Sequence, residues 1–117
     1  MSGKISFFEI GTGDSEKAKA FYGGLFDDWT FETGPSGDGF VVGTGGVPGG
    51  IHTGDAGSAM YAFFEVPDIE PAMATVEKLG GEVKSLGDSD ENVAEFGRFA
   101  LCKDDQGSSF GLHEPPS

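Results

Sequence analysis

The chain has 117 residues, the length of one domain, with 7 basic and 20 acidic residues and a formal net charge of −13. This balance argues against DNA, RNA or an anionic membrane as a partner, because each of them is bound through a basic surface. Apolar residues make up 37% of the chain, 11 Phe among them, so a folded core is expected, and its modest size favours a homodimer.

The first half of the chain predicts one strand, one helix and three further strands. Residues 4–10 are apolar and β-branched, as in a buried strand, and Asp14 is a suitable N-cap for the helix that follows. The helix is indicated by one apolar stripe at i, i+3, i+4, i+7 and i+8: Ala18, Phe21, Tyr22, Leu25 and Phe26. Short strands follow at residues 29–33, 40–43 and 49–53, with turns at 34–39 and 45–48 and a flexible connection at 54–58.

The second half predicts the same order of elements. A strand at residues 59–66 is followed by Asp68 as the N-cap of a helix that ends at Gly80 and Gly81. The apolar face of this helix consists of Ile69, Ala72, Met73, Val76 and Leu79. Strands are expected at residues 82–86, 96–103 and 108–113, separated by an acidic loop at 87–92 and a turn at 104–107.

Local matches indicate that the two halves are copies of one unit. A shift of 54 residues places Asp14 on Asp68 and Leu25 on Leu79, and the segment GGIHT near the end of the first half matches FGLHE in the second. Each copy has too few apolar residues to fold alone. We therefore predict a single domain, residues 1–117, made of the pseudo-repeats 1–54 and 58–117.

Three segments carry a resemblance to a known family: FFEIGTGDSEKAKAFYGGLF, AFFEVPDIEPAMATVEKLGGEV and KDDQGSSFGLHEP. In this order and spacing the chain resembles the vicinal oxygen chelate superfamily, which includes glyoxalases, bleomycin-resistance proteins and extradiol dioxygenases. The resemblance covers essentially the whole chain. It implies an α+β fold in which two tandem βαβββ modules form a curved mixed sheet, a cup, with the helices on its convex face.

The resemblance also implies where a metal would be bound. Metal-dependent members place ligands on the first and fourth strands of each module, and these positions are Phe7, Gly50, Ala62 and Gly111 here. None of these side chains offers the imidazole, carboxylate or thiolate that a divalent metal requires. The sequence therefore predicts no metal site and no cofactor, and it departs from the family where the chemistry would take place.

Strand alternation extends this set of cup-facing residues. Residues two apart on a strand share a face, which places Glu9, His52, Phe64 and His113 beside the four positions above. The predicted ligand-binding set is Phe7, Glu9, Gly50, His52, Ala62, Phe64, Gly111 and His113. The residues expected to pack against the helices are Phe8, Ile10, Ile51, Tyr61, Phe63, Phe110 and Leu112.

Three of these residues admit more than one role. His52 and His113 are the only histidines, and with Glu9 they provide a displaced metal triad, an acid–base pair, polar contacts to a ligand, or groups without a role. Our main hypothesis is a metal-independent protein that binds a planar or aromatic small molecule. The alternatives are a lyase, isomerase or hydroxylase-like enzyme that uses Glu9, His52 and His113, and a non-catalytic subunit that binds a partner.

Compartment and thiol chemistry complete the sequence-based expectations. The single cysteine, Cys102, excludes an intramolecular disulfide and is expected to be a small buried apolar residue. No apolar run approaches the roughly 20 residues of a membrane helix, and residues 1–16 do not resemble a signal peptide. A cytoplasmic protein is predicted.

Overall fold

The computed structural model describes residues 3–34, 39–53, 60–87 and 90–116. The elements are β1 Ile5–Gly11, α1 Ser15–Leu25, β2 Thr30–Thr33, β3 Phe40–Gly43, β4 Gly49–His52, β5 Met60–Glu65, α2 Ile69–Lys78, β6 Glu82–Gly87, α3 Asp90–Phe96, β7 Arg98–Lys103 and β8 Ser109–Glu114. The chain divides into two compact units. The N-terminal unit is Phe7–Tyr61, and the C-terminal unit comprises the described residues before Phe7 and after Tyr61.

The N-terminal unit is a mixed sheet with α1 packed on one face. β4 pairs in parallel with β1 and antiparallel with β3, and β3 pairs antiparallel with β2. The core between this sheet and α1 is formed by Ile10, Ala18, Phe40, Val42 and Ile51. These residues alternate along their strands, so the other face of the sheet carries Glu9, Val41 and Gly50.

The C-terminal unit repeats this arrangement. β8 pairs in parallel with β5 and antiparallel with β7, and β7 pairs antiparallel with β6. Its core is formed by Val66, Ile69, Ala72, Ala100, Cys102 and Leu112. Because Ile69 and Ala72 belong to α2, this core lies between the sheet and that helix. Cys102 is fully buried, as predicted.

The two main helices are capped differently at their N-termini. The Asp14 carboxylate accepts the backbone N–H groups of Glu16 and Lys17, as predicted for α1. Asp68 makes no such side-chain bond at α2. Asp68 is the N-cap residue, as predicted, but the Ile69 N–H donates to the Glu114 carboxylate of β8 at 2.8 Å. An N-terminal N–H group can be satisfied by any nearby acceptor, and residue spacing cannot reveal one supplied from 45 positions away.

The predicted α+β class and the two tandem βαβββ modules are confirmed, with one addition. A short helix, α3, begins at Asp90 and ends at Phe96, where a loop and the start of a strand were expected. Gly97 follows with φ +91°, and its N–H donates to the Val93 carbonyl. This left-handed glycine is a common helix terminator, and a helix of seven residues is too short to reveal itself by periodicity.

The apolar stripe of α1 is only partly buried. Ala18 is buried and Tyr22 packs against the core, as predicted. Phe21 and Leu25 remain 64% and 60% exposed, and Phe26 is also exposed. Only part of the predicted stripe therefore packs against the sheet.

Some expectations concern features that the structure does not describe. Most of the predicted turn at 34–39 and all of the predicted connection at 54–58 lie outside the described residues. The assignment of both modules to one domain stays a prediction. Among the described residues, no helix has the length and apolar character needed to cross a membrane.

Candidate functional site

The face of the N-terminal sheet opposite α1 carries the predicted polar residues of that unit. Glu9 lies opposite Gly50 in the parallel β1–β4 ladder, and His52 is two residues further along β4. Ile10 and Ile51, their neighbours in sequence, are buried against α1. The predicted placement of Glu9, Gly50 and His52 on one face is therefore confirmed.

The Glu9 carboxylate lies directly over the backbone of Gly50. A Cβ at position 50 would be 3.1 Å from Oε1 and 3.3 Å from Oε2 of Glu9, so glycine makes room for this carboxylate. His52 Nε2 is 3.6 Å from Glu9 Oε1. The side chains of His52 and Glu9 are 34% and 18% exposed, respectively. This distance suits an ion pair when the imidazole is protonated and is too long for a direct hydrogen bond.

The residues across the sheet extend this face into one row. Gly50 lies opposite Val41 of β3, and Val41 lies opposite Glu32 of β2. Paired residues on adjacent strands share a face. One row across four strands therefore consists of Glu9, Gly50, Val41 and Glu32. With strands spaced about 4.8 Å apart, the backbones of the two glutamates are separated by about 14 Å. Glycine and valine thus lie between two carboxylates.

In the C-terminal unit, the sequence-based assignment of faces on β5 was wrong by one residue. Phe63 lies opposite Gly111, and Phe64 lies opposite Leu112, which belongs to the core against α2. Phe64 and Ala62 therefore point to the helix side and not to the opposite face. A slip of one residue reverses every side chain of a strand, and the run AMYAFFEV is apolar at nearly every position, so it contains no alternation to set the register.

Phe63 covers the glycine that was predicted to form an open floor. A Cβ at position 111 would collide with the Phe63 ring. Phe63 is buried and packs edge-on against Phe99, with ring centroids 5.1 Å apart. The position equivalent to Gly50 is therefore filled by a side chain of the protein itself.

His113 occupies an enclosed environment, unlike His52. It is 8% exposed, and its ring stacks parallel to that of Phe99 at 4.4 Å with an interplanar angle of 3°. His113 Nδ1 is 2.8 Å from Ser6 Oγ, and Nε2 is 2.7 Å from the Phe96 carbonyl oxygen. Sequence reasoning assigned the two histidines to equivalent places. It did not predict the contacts of His113 with Ser6 and the Phe96 carbonyl, since both contacts depend on tertiary structure.

Solved structures with a similar fold include two bacterial proteins. The chain is similar to a hypothetical protein from Bacillus halodurans C-125, with a TM-score of 0.69 and 14% identity over 100% of this chain and 97% of the other. It is also similar to a glyoxalase/bleomycin resistance protein/dioxygenase superfamily member from Vibrio splendidus 12B01, with a TM-score of 0.58 and 17% identity over 97% and 99%. The chain has the vicinal oxygen chelate fold.

A third structure with this fold is the methylmalonyl-CoA epimerase of Streptomyces coelicolor, with a TM-score of 0.61 and 14% identity over 100% of both chains. No protein-family model and no curated protein sequence matches the chain. At these identities the similarity establishes the vicinal oxygen chelate fold and not an activity.

The absence of a metal site stays a prediction, and the chemistry of the positions that the resemblance implies agrees with it. Phe7, Gly50 and Gly111 lack ligating side chains, and Glu9 with His52 provides only two donors. Among the described residues, no three His, Cys, Asp or Glu side chains lie close enough to hold a metal ion.

Proposed function

We propose that the protein binds a small planar or aromatic molecule on the face of the N-terminal sheet that carries Glu9, Gly50 and His52, without a bound metal. The observation that supports this proposal is the mostly buried carboxylate of Glu9, which lies over Gly50 and beside the partly exposed imidazole of His52. A carboxylate in such a position is stabilised by a charged or hydrogen-bonding partner. His52 is one such partner within the protein, and a ligand with N–H donors would be another.

The row of residues on this face indicates the chemistry of the ligand. Val41 lies between Glu32 and Gly50, and the Glu9 carboxylate lies over Gly50, so this face has a small apolar floor bordered by two acidic residues. Once the Glu9 side chain rotates aside, a planar group can approach the backbone of Gly50 closely, because glycine has no side chain there. The carboxylates favour a ligand with a positive charge or with N–H donors at its edge. The net charge of −13 attracts the same class of ligand.

Three isosteric aromatic probes test this assignment: benzamidine, benzamide and benzoate, which carry a positive charge, no charge and a negative charge. Ligand-observed NMR titration is expected to give the tightest binding for benzamidine and the weakest for benzoate. Glu9→Gln should weaken benzamidine binding by about 10- to 100-fold, the value of a hydrogen bond to a charged group, and should leave benzamide binding nearly unchanged.

Two further variants complete this experiment. Glu82→Gln removes an exposed carboxylate of β6 and serves as the matched control, because Glu82 lies in the C-terminal unit. Gly50→Leu fills the floor and should abolish binding of all three probes while the fold is retained. Unchanged benzamidine binding in folded Gly50→Leu protein would contradict the proposed site.

A second candidate is an enzyme, a lyase, isomerase or hydroxylase-like member of the superfamily. The observation that favours it is the 3.6 Å distance between Glu9 Oε1 and His52 Nε2, since a carboxylate at ion-pair distance stabilises the imidazolium that forms when an imidazole acts as a general base. The predicted third member, His113, has other partners in the structure. Metal analysis of the untagged protein tests the metal-dependent form, because tightly bound metal that is lost in His52→Ala would favour the enzyme.

The remaining expectations complete the proposal. The ligand contacts predicted for Phe7, Gly111 and His113 stay predictions, as does the third possibility, a non-catalytic subunit that binds a partner. A homodimer and a cytoplasmic location are proposed as well. The short chain favours the first, and one free, buried thiol fits the reducing conditions of the second.

A further inference from the structure

Ser6, His113 and the Phe96 carbonyl form a chain of two short hydrogen bonds in the C-terminal unit. The Phe96 oxygen is only an acceptor, so His113 must donate to it through Nε2–H at 2.7 Å. In the neutral ring this leaves a lone pair on Nδ1. The Ser6 hydroxyl, 2.8 Å away, therefore donates its hydrogen to Nδ1.

We propose that Ser6 is a nucleophile activated by His113 and that it is acylated by small carboxylic esters. A hydroxyl that donates to an imidazole, itself oriented by a third group, is the arrangement that activates serine in acyl transfer. The Phe96 carbonyl fixes the tautomer that a base requires. The face of Phe99, stacked at 4.4 Å, stabilises the imidazolium that forms when the proton is transferred.

The reaction balances with water as the only co-reactant. The Ser6 oxygen forms a bond to the ester carbonyl carbon while its proton moves to His113 Nδ1. The bond from that carbon to the alcohol oxygen then breaks, and the alcohol leaves with the proton held by His113. Water, deprotonated by the same nitrogen, attacks the acyl-serine, which releases the carboxylic acid and restores the Ser6 hydroxyl.

This reactivity uses none of the residues of the ligand site proposed at Glu9. Ser6, Phe96, Phe99 and His113 all belong to the C-terminal unit, whereas Glu9 and His52 belong to the other. Ser6 is only partly buried, whereas His113 is buried.

The test uses p-nitrophenyl acetate on the full chain, with acid quenching and peptide mass spectrometry to locate the acetyl group. Ser109 is the internal control, because its hydroxyl lies 3.1 Å from the Lys103 ammonium, a group that cannot accept its proton. Ser6 should be acetylated about 100-fold faster than Ser109, the low end of what a general base contributes. His113→Gln should reduce the rate at Ser6 to that of Ser109.

Two results would overturn the proposal. One is acetylation of Ser6 no faster than that of Ser109 in the wild-type protein, a comparison that needs no variant and is unaffected if His113→Gln fails to fold. The other is a fast reaction at Ser6 that persists in His113→Gln protein with a native circular dichroism spectrum. A purely structural hydrogen bond would lower the melting temperature of both Ser6→Ala and His113→Gln without giving any difference in acetylation rate.

Discussion

Glu114 caps α2 from the last strand of the sheet, and its replacement by Ala is expected to lower the stability of the protein. The substitution removes the acceptor of the Ile69 N–H, a group that belongs to a fully buried residue. Loss of an N-cap costs about 1 kcal/mol, and loss of the negative charge beside the helix N-terminus costs about 0.3–1 kcal/mol more. We therefore expect Glu114→Ala to lower the free energy of unfolding by about 1–2 kcal/mol.

Thermal unfolding followed by circular dichroism measures this loss. At about 2.1 cal/mol/K per residue, a chain of this length has an unfolding entropy of about 250 cal/mol/K, so about 1–2 kcal/mol lowers the melting temperature by about 4–8 °C. Glu114→Gln keeps an oxygen acceptor and loses the charge, so about half of the shift is expected. Asp14→Ala, which removes the two cap bonds of α1, provides a positive control of about 1 kcal/mol.

The decisive comparison is with Asp68→Ala. Asp68 occupies the N-cap position of α2 but makes no side-chain cap bond, so its loss should cost under about 0.5 kcal/mol, as at an ordinary surface site. If Asp68→Ala destabilised the protein as much as Glu114→Ala, the cap of α2 would be local in sequence and the role assigned to Glu114 would be refuted.

Three further predictions follow from the packing and from the pKa shifts. Gly111→Ala should lower the free energy of unfolding, measured in urea, by about 1–3 kcal/mol, because the new methyl group meets the packed ring of Phe63. Gly50→Ala should lower it less, because the carboxylate of Glu9 can rotate away, and equal losses would contradict this difference. Burial raises the pKa of the Cys102 thiol above its ordinary value of 9.0. A thiol reagent should therefore label Cys102 slowly in native protein and fast in urea, and rapid labelling of native protein would show an accessible thiol. Because the unfolded chain loses this proton at a lower pH than the folded protein, the free energy of unfolding should fall as pH rises above 9. The backbone N–H groups of Ser108 and Gln106 lower the pKa of Asp104, so the turn that begins at Asp104 should be stable above the ordinary pKa of a carboxyl group and lose stability as pH falls through the lowered pKa. Hydrogen exchange at the amides of Ser108 and Gln106 should accelerate in Asp104→Ala, and an unchanged exchange rate would contradict the two hydrogen bonds.

Much of the fold could be predicted because its signals are local. The stripe at i, i+3 and i+4 located both long helices, and Gly80, with φ +95°, ends the second where the sequence indicated. Alternation also placed Glu9 and His52 correctly, because each is a polar residue beside a buried isoleucine. These features depend only on neighbours along the chain.

The errors concern contacts between distant residues. The register of β5 was misread because Phe63 and Phe64 are equally apolar, and only pairing with β8 distinguishes them. The cap of α2 and the two partners of His113 are likewise supplied by residues 17 to 107 positions away. For the candidate site, the sequence therefore predicted the face shared by Glu9, Gly50 and His52 and missed the environment of His113.

The different surroundings of Gly50 in β4 and Gly111 in β8 determine how many ligand molecules one chain can bind. A chain built from a duplicated module would offer two equal places to a ligand if both glycines could be exposed. Gly50 is covered by the end of a glutamate side chain, which can rotate away, whereas Gly111 is covered by a phenyl ring held against Phe99. Only one of the two copies can be vacated without repacking the protein, so the proposed ligand should saturate at one molecule per chain.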